Sequence, residues 1–317
     1  CMKKISVFDT TVCNYNLGNQ IIMEAVYNHL KEIFPMEFFF KLPYMEITDN
    51  TLTYIGWSDL IFFGGTNSLC GEMDKYAQWG LNKKNYRSIK NVVLMGMGWW
   101  QYQDIINRYT KKLLTHSLSS DYLHSVRDSY TEAKLNSIGF NNVVNTGCPT
   151  LWDLTERHCA DIPKEKSEEV VLTITDYMKN QRRDMEIFEV LKKNYSKIYA
   201  WIQGMGDYDY IKKTLNLQDI EIIGPDLKYY DEFLAANEVD YVGTRLHAGI
   251  RAMQHGRRTT IIGIDNRASE MCKDFNIPVL PEKEIYRLNE RLNSSFDTRV
   301  NLPLEQIRKW KSQFCSI

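Results

Sequence analysis

Short apolar runs alternate with longer amphipathic segments along almost the whole chain of 317 residues, and this alternation restricts the fold more than any other feature. Several of the apolar runs end at Gly or Asp. Apolar runs of strand length, separated by segments long enough for a helix, are typical of β-α units around parallel sheets. The sequence therefore predicts an α/β protein.

The predicted strands fall into two groups. In the first half they lie near Ile5 to Phe8, Glu37 to Phe40, Leu60 to Phe63, Val92 to Met95, Tyr122 to Val126 and Val143 to Val144. In the second half they lie near Val170 to Ile174, Ile198 to Ile202, Ile220 to Ile223, Val239 to Val242, Thr260 to Ile264 and Pro278 to Leu280. Predicted helices between them include Asn19 to Ile33, Tyr102 to His116 and Ser129 to Ile138. The repeated rhythm predicts two Rossmann-like, doubly wound lobes.

The best boundary between the lobes is the polar segment Arg157 to Glu169, where Pro163 and a run of charged residues interrupt both periodicities. We therefore predict lobes over residues 2–160 and 168–317, leaving out Cys1 because it precedes Met2. Open parallel sheets bind ligands at the carboxyl ends of their strands. Two such lobes facing each other across a cleft would hold a ligand between them.

Composition excludes several classes of protein. There are 39 Lys and Arg against 40 Asp and Glu, a formal net charge of -1, so no basic surface for nucleic acid is indicated. The seven cysteines form no Cys-x-x-Cys pair and no Cys/His cluster at zinc spacing, so we expect neither a metal nor a disulfide scaffold, and a reducing cytoplasm fits best. No apolar run is long enough to span a bilayer.

The segment Gly243-Thr244-Arg245-Leu246-His247-Ala248-Gly249 follows a predicted strand and opens a helix-like stretch. In an extended segment Arg245 and His247 would point the same way, with Leu246 turned into the protein. The positive end of the helix would add to the attraction for an anion. The residues suited to the buried side of that helix are Ala248, Ile250, Ala252 and Met253. The turn is thus a candidate anion site.

An alternative is equally open on residue types alone. Arg245 would pair with a structural carboxylate, and His247 would be a buried histidine with satisfied hydrogen bonds.

Two Gly-x-Gly turns also follow strands, at Gly96-Met97-Gly98 and Gly204-Met205-Gly206, but neither continues into a dinucleotide fingerprint. We interpret both as ordinary turns. His29, His116 and His124 have no second ligand at metal spacing, so packing or solvent exposure explains them better than metal coordination does.

Five short elements follow one another along the chain: Asn16-Leu17-Gly18-Asn19, Phe62-Phe63-Gly64-Gly65, Ser125-Val126-Arg127-Asp128, Gly-Thr-Arg-Leu-His-Ala from Gly243, and Ile261-Ile262-Gly263-Ile264-Asp265. In this order they resemble the polysaccharide pyruvyl transferase family. Each is weak alone, whereas the set is fairly specific. The chain departs from the family pattern at Asn19, where Asp is common, at Gly147-Cys148-Pro149-Thr150, and at Asn266-Arg267.

The resemblance implies a glycosyltransferase-B-like fold and transfer of a pyruvyl group from phosphoenolpyruvate to two hydroxyls of one sugar. It implies no cofactor beyond this donor. Guanidinium groups bind phosphate and carboxylate bidentately, and a histidine can move protons near neutral pH. We therefore expect Arg127 and Arg245, converging across the cleft, and His247 to be catalytic. The expected phosphoenolpyruvate contacts are Arg127, Arg245, Leu246 and His247.

Other motif positions are candidates for acceptor or backbone contacts. Asp128 is predicted to be a helix N-cap rather than a catalyst. For Asp265 an acceptor contact and a cap are both plausible. Glycines can let backbone approach a ligand, or can serve only a turn. The candidate acceptor or backbone contacts are Asn16, Gly18, Gly64, Gly65 and Asp265. Aromatic residues such as Trp99-Trp100-Gln101-Tyr102 and Tyr229-Tyr230 suit either a sugar-stacking wall or core packing.

Two rival functions remain. One is a nucleotide-sugar glycosyltransferase, because one fold hosts several activities. Glu282 and Glu290 have the spacing of a Glu-x7-Glu donor motif, but they lie on a predicted exposed helix, Glu282 to Leu292, so chance explains this spacing better. The other is a noncatalytic saccharide-binding relative, suggested by the departures at Asn19 and Cys148.

The resemblance further implies a saccharide acceptor for bacterial capsule or exopolysaccharide, often lipid-linked at the inner membrane face. We expect a cytoplasmic protein, with peripheral membrane contact as an open alternative. The final segment, Leu304 to Phe314, would either touch a membrane through its aromatic and basic residues or pack back onto a lobe.

Overall fold

The computed structural model describes residues 2–315, which form two compact units. The first unit comprises the chain up to Asn14, Ile22–Trp152, and the segment from Leu302 onward. The second unit comprises Tyr15–Ile21 and Asp153–Asn301.

The first unit is built on a parallel sheet of four strands in the order β2-β1-β3-β4, and a further parallel pair, β5 and β6, follows it. A single bridge between Met97 and Val126 links the end of β4 to β5. The strands are β1 (Lys4–Asp9), β2 (Phe38–Pro43), β3 (Leu60–Gly64), β4 (Val92–Met95), β5 (His124–Val126) and β6 (Val143–Asn145).

Helices cover the sheet of the first unit because their apolar sides match its buried strands. They are α1 (Gly18–Ile33), α2 (Asp49–Trp57), α3 (Arg108–Ser117), α4 (Ser129–Ser137) and α12 (Leu304–Ser312). Trp310 of α12 and Phe314 are buried against Phe62 of β3, with ring centroids 6.1 and 5.3 Å away. The C-terminal helix therefore packs into the core of the first unit, and the two aromatic rings proposed for a membrane contact are not exposed.

The second unit contains one parallel sheet of six strands in the order β12-β11-β10-β7-β8-β9. The strands are β7 (Glu169–Thr173), β8 (Lys197–Trp201), β9 (Glu221–Ile223), β10 (Val239–Gly243), β11 (Thr259–Gly263) and β12 (Val279–Pro281). The helices are α5 (Glu156–Ala160), α6 (Gln181–Asn194), α7 (Asp207–Thr214), α8 (Leu227–Ala236), α9 (Leu246–Gln254), α10 (Asn266–Phe275) and α11 (Leu288–Asn293). Its strand order reverses at β7 and β10, the kind of position where open α/β sheets bind ligands.

The predicted α/β class with parallel sheets is confirmed, and each of the twelve predicted strands overlaps an observed one. The predicted helix Tyr102 to His116 is wrong at its start. Asn107 accepts a hydrogen bond from the amide of Thr110, 2.9 Å, and so begins α3 at Arg108. The predicted exposed helix Glu282 to Leu292 is also wrong: Glu284 has non-helical dihedrals, and Leu288 and Leu292 of α11 are buried.

The division between units falls between Trp152 and Asp153, earlier than the polar segment Arg157 to Glu169. The reason is that α5 packs with the second unit, where the His158 ring nitrogen Nε2 lies 2.7 Å from the carbonyl of Met253. Among residues 2–315, no helix is both long and apolar enough to cross a membrane.

Candidate anion site of the second unit

Polar side chains gather where the neighbouring strands β7, β8, β10 and β11 end. Because parallel strands end at the same edge of a sheet, the segments that follow them lie close together. Asp176 follows β7, Asp207 follows β8, Arg245 follows β10 and Asp265 follows β11. The structure thus brings the predicted residue Arg245 together with Asp176 and Asp207, two carboxylates that the sequence analysis did not identify.

Arg245 is the centre of this cluster and is almost completely buried, with 3% of its surface exposed. Its Nε donates to Asp207 at 3.0 Å, and its Nη2 donates to both Asp207 and Asp176, the latter at 3.3 Å. Its Nη1 makes no hydrogen bond with residues 2–315. The alternative in which Arg245 pairs with carboxylates is therefore correct for this structure, and Nη1 is the guanidinium nitrogen that these carboxylates do not bind.

Asp207 is completely buried beneath Arg245. Its carboxylate also accepts hydrogen bonds from the amides of Gly204, 2.8 Å, and Asp176, 3.1 Å. Burial raises the pKa of Asp207 above its ordinary value, and Arg245 with the two amides only partly offsets this. A buried ion pair of this kind contributes little net stability, so its main consequence is a fixed orientation of Arg245.

The turn Gly204-Met205-Gly206, interpreted from sequence as ordinary, has a steric role in this cluster. A Cβ atom on Gly204 would lie 2.2 Å from Nη2 of Arg245, and one on Gly206 would lie 2.0 Å from the Asp176 carboxylate. A side chain at either position would therefore displace part of the ion cluster.

Helix α9 begins at Leu246. Arg245 is its N-cap residue and makes no side-chain capping bond. The prediction of an extended Arg245-Leu246-His247 segment is wrong, because Leu246 and His247 already form the first turn of α9. The inward orientation of Leu246 and the burial of Ala248, Ile250, Ala252 and Met253 are confirmed. His247 is buried in the first turn of a helix whose dipole favours anions.

Tyr177 lies beside two arginines at the same edge of the sheet. The Arg245 guanidinium carbon is 5.0 Å from the ring centroid of Tyr177, and that of Arg267 is 5.6 Å away. The Tyr177 hydroxyl donates to Asp265 at 3.2 Å. Asp265 also pairs with Arg267, whose Nε donates to it at 2.9 Å. Asp265 caps α10 by accepting from the amide of Ala268, 3.2 Å, so the capping alternative is confirmed.

The pKa of Asp265 reflects this pairing. Burial alone would raise it, but the ion pair and hydrogen bond with Arg267 hold it below its ordinary value. Arg267, which stands at one of the departures from the family pattern, thus keeps Asp265 ionised and engaged. An acceptor contact by Asp265 would have to share this carboxylate.

The Asn16 loop belongs to the second unit and contacts the Gly-Met-Gly turn. Gln203 Nε2 donates to Asn16 Oδ1 at 2.8 Å, and the amide of Leu17 donates to the carbonyl of Gln203 at 2.9 Å. A Cβ on Gly18 would lie 2.7 Å from Gln203 Nε2. The family-like Asn-Leu-Gly-Asn element is therefore fixed next to the turn that carries Asp207.

The remaining predicted site residues belong to the first unit. Arg127 follows β5 and is completely buried, and a Cβ on Gly98 would lie 2.1 Å from its Nη2. Asp128 caps α4 by accepting from the amide of Thr131 at 2.7 Å, as predicted. The turn Gly96-Met97-Gly98 thus makes room for an arginine, as Gly204-Met205-Gly206 does in the second unit.

Gly64 and Gly65 have a packing explanation. Cβ atoms there would lie 2.7 Å from Val26 and 2.0 Å from Ile22, both on α1, and Gly65 has a positive φ of 64°. These glycines allow α1 to approach β3 closely. A ligand contact at either glycine stays a prediction.

Other candidate signals have structural explanations. His124 is buried, with Nε2 2.8 Å from the carbonyl of Ser119, and burial lowers its pKa to about 4. Glu282 accepts from Arg183 at 3.1 Å, so it is an ion-pair residue rather than half of a donor motif. No cluster of three or more metal-ligating His, Cys, Asp or Glu side chains occurs among residues 2–315.

The aromatic segments divide between core and surface. Trp99 is buried, whereas Trp100 stacks on the half-exposed Tyr76 with centroids 4.0 Å apart. Tyr102 is exposed, so a sugar-stacking role of this segment stays a prediction. Tyr230 is buried and stacks on Trp201, while Tyr229 is exposed.

Comparison with known protein families assigns the chain to a family. The model of the family described as polysaccharide pyruvyl transferase matches residues 16–266. The chain belongs to the polysaccharide pyruvyl transferase family. The match begins at Asn16 and ends one residue after Asp265, so it includes all the family-like elements that the sequence analysis identified. Comparison with curated protein sequences finds no match.

Solved structures support the glycosyltransferase-B-like fold of this family member. The S. aureus MnaA-UDP co-structure is 13% identical, with a TM-score of 0.53, covering 95% of this chain and 92% of that one. The Methanocaldococcus jannaschii UDP-GlcNAc 2-epimerase in complex with UDP-GlcNAc and UDP is 11% identical, with a TM-score of 0.55, covering 94% and 95%. A putative UDP-N-acetylglucosamine 2-epimerase from Listeria monocytogenes is 9% identical, with a TM-score of 0.51, covering 100% and 91%. At these identities the similarity concerns the fold alone.

Proposed function

We propose that the protein transfers a pyruvyl group from phosphoenolpyruvate to two hydroxyls of a saccharide, in the synthesis of a bacterial surface polysaccharide. The observation that carries the proposal is a guanidinium fixed by Asp207 at a helix start without a side-chain cap, in a member of this family. Arginine and a helix N-terminus are both suited to an anionic donor that bears phosphate and carboxylate close together.

The reaction needs two proton movements and one leaving group. A proton adds to the CH₂ carbon of phosphoenolpyruvate, the two hydroxyl oxygens form bonds to the neighbouring carbon, and the bond from that carbon to the phosphate oxygen breaks. The two hydroxyl groups release one proton each. One of these protons compensates for the proton taken up by the new methyl group, and the other leaves with the phosphate. His247 is the proposed proton carrier, and Arg245, together with Arg127, is proposed to stabilise charge on the leaving phosphate.

Asp176 is the group that the donor would replace at Arg245. Its carboxylate is partly exposed, with 28% of its side chain accessible, and contacts Nη2 at 3.3 Å, whereas Asp207 is fully buried. A donor phosphate or carboxylate can therefore take the place of Asp176 while Asp207 keeps the guanidinium oriented. We propose that the acceptor is a saccharide, either soluble or lipid-linked, and that the reaction takes place in the cytoplasm.

Ligand-dependent stabilisation separates this function from a nucleotide-sugar enzyme. A ligand at one hundred times its Kd raises the free energy of unfolding by about 2.7 kcal/mol. We expect phosphoenolpyruvate to raise the unfolding temperature, and UDP and UDP-GlcNAc to leave it unchanged. Stabilisation by the nucleotides alone would favour the glycosyltransferase alternative, and binding of saccharides without donor binding would favour a noncatalytic relative.

A Gly204→Ala substitution tests the role of the turn beneath Arg245. The new Cβ would meet Nη2 at 2.2 Å and displace the end of a flexible side chain, so overpacking should lower the free energy of unfolding by about 1–3 kcal/mol. Because the displaced group is the guanidinium proposed to bind phosphoenolpyruvate, we also expect about tenfold weaker binding in calorimetry, a loss of about 1.4 kcal/mol in binding free energy. Gly56→Ala is the matched control, because a Cβ there meets nothing within 4 Å. Equal donor affinity in both variants would contradict the role assigned to Gly204.

A further inference from the structure

A second charged feature of the second unit lies apart from the cluster around Arg245. A cavity of about 390 Å³ borders the edge strand β12, and it shares no residue with that cluster. Its walls combine apolar groups from Pro278 and Val279 with three arginines, Arg287, Arg291 and Arg299. A concave site with an apolar wall and a few charged groups is typical of a small-ligand pocket.

The three arginines differ in their pairing. Arg287 lies 3.2 Å from Glu284 and 3.7 Å from Glu290, and Arg299 lies 3.6 Å from Asp297. Arg291 makes no hydrogen bond or ion pair through its guanidinium with any residue from 2 to 315. It is the cation of this cavity wall whose charge the described residues leave uncompensated.

The surroundings of Arg291 increase the cost of that charge. Its guanidinium carbon is 3.4 Å from the ring centroid of Phe296, and the guanidinium of Arg258 is 4.2 Å from the same ring. Arg258 pairs with Asp240 at 3.0 Å and donates to the carbonyl of Leu292 at the end of α11, and as a second cation it cannot compensate the charge of Arg291. Burial and the positive charge of Arg258 lower the pKa of Arg291 to about 10.

A half-buried cation normally has a partner, because removing a charge from water costs more than stacking on a ring returns. Arg287 and Arg299 follow this rule, so Arg291 is the exception among the three arginines of the cavity. We infer that the cavity beside β12 is a binding site for a small organic anion, a phosphate monoester or carboxylate with an apolar part, held by Arg291.

Phenyl phosphate is the first probe, because it carries both a phosphate and an apolar ring. We expect it to raise the unfolding temperature of the wild-type protein more than inorganic phosphate does, with benzyl alcohol and sodium chloride as neutral and ionic controls. The shift should persist in Arg287→Gln and be lost in Arg291→Gln. Arg287 is the matched control because it borders the same cavity but is already paired. An equal shift in both variants would overturn the inference.

A second measurement needs no variant. Cys272 borders the same cavity and is partly exposed. Phenyl phosphate should slow the alkylation of Cys272 by N-ethylmaleimide several-fold, as measured by peptide mass mapping, and leave the exposed Cys13 unaffected. An unchanged rate at Cys272 under conditions that saturate any thermal shift would contradict a ligand at Arg291. Failure of both tests leaves the proposed pyruvyl transfer untouched, because phosphoenolpyruvate is not used in either.

Discussion

Replacing Asp207 by asparagine should abolish most donor binding while leaving the protein folded. The amides of Gly204 and Asp176 bind different carboxylate oxygens of Asp207, so the one amide oxygen of asparagine can accept from only one of them, and the guanidinium of Arg245 loses its buried countercharge. Removing one partner of a buried ion pair typically costs about 3–5 kcal/mol, and we expect the lower end because Asp176 still contacts Nη2. The binding of phosphoenolpyruvate should weaken at least as much as Gly204→Ala weakens it, because Arg245 is no longer held in one orientation.

Asp176→Asn is the matched control, because it removes the same charge from the same arginine. Asp176 is partly exposed and is the carboxylate that the donor is proposed to replace. We therefore expect this variant to bind phosphoenolpyruvate more tightly than wild type, with little change in stability, when both are measured by calorimetry and urea denaturation. Equal losses of donor affinity in Asp176→Asn and Asp207→Asn would show that Arg245 is simply a structural cation.

Replacing Arg245 should have the largest effect on activity. Arg245→Met removes the side chain that is proposed to bind phosphoenolpyruvate and leaves Asp207 buried without its cation. We therefore expect no measurable phosphate release and a loss of about 3–5 kcal/mol in the free energy of unfolding. Arg245→Lys should rescue stability in part and activity hardly at all. An ammonium group is a point charge and lacks the planar fork that binds Asp207 through two nitrogens and leaves a third nitrogen for the proposed donor.

The double variant Arg245→Met, Asp207→Leu separates fold from function. Apolar side chains of similar size often replace a buried ion pair without loss of stability. We expect the double variant to be more stable than Arg245→Met alone, with an interaction energy of about 1–3 kcal/mol, yet equally inactive. Recovery of phosphate release in the double variant would mean that Arg245 supports the fold and takes no part in the reaction.

Sequence patterns were sufficient for the sheets because strand period and strand ends are local properties. The apolar runs of β1, β3, β7 and β10 are buried on both faces, so their residues alone are enough to predict the strands. Each run ends at Asp, Gly or Thr, and this residue marks the start of the following turn. The start of α3 was missed because a single Asn107 side chain decides it.

The partners of Arg245 could not be predicted, because they come from other strands. Asp207 lies 38 residues and Asp176 lies 69 residues from Arg245, and their proximity follows from the strand order β10-β7-β8. The Gly-Met-Gly turns did carry a signal. Each follows a strand, and each removes a Cβ that would collide with a buried arginine, Arg127 or Arg245. Two glycines flanking a turn after a strand are thus a sign of close approach as well as of chain reversal.

Pyruvyl transfer from phosphoenolpyruvate is tested most directly by following phosphate release with a panel of acceptors. The panel should contain galactose, glucose, mannosamine and glucosamine units, and the product should be analysed by mass spectrometry. We predict acceptor-dependent release of phosphate, a product carrying one ketal-linked pyruvate, and loss of both in Arg245→Ala and His247→Ala. No release with any acceptor, together with no binding of phosphoenolpyruvate to the wild-type protein, would contradict the proposed function.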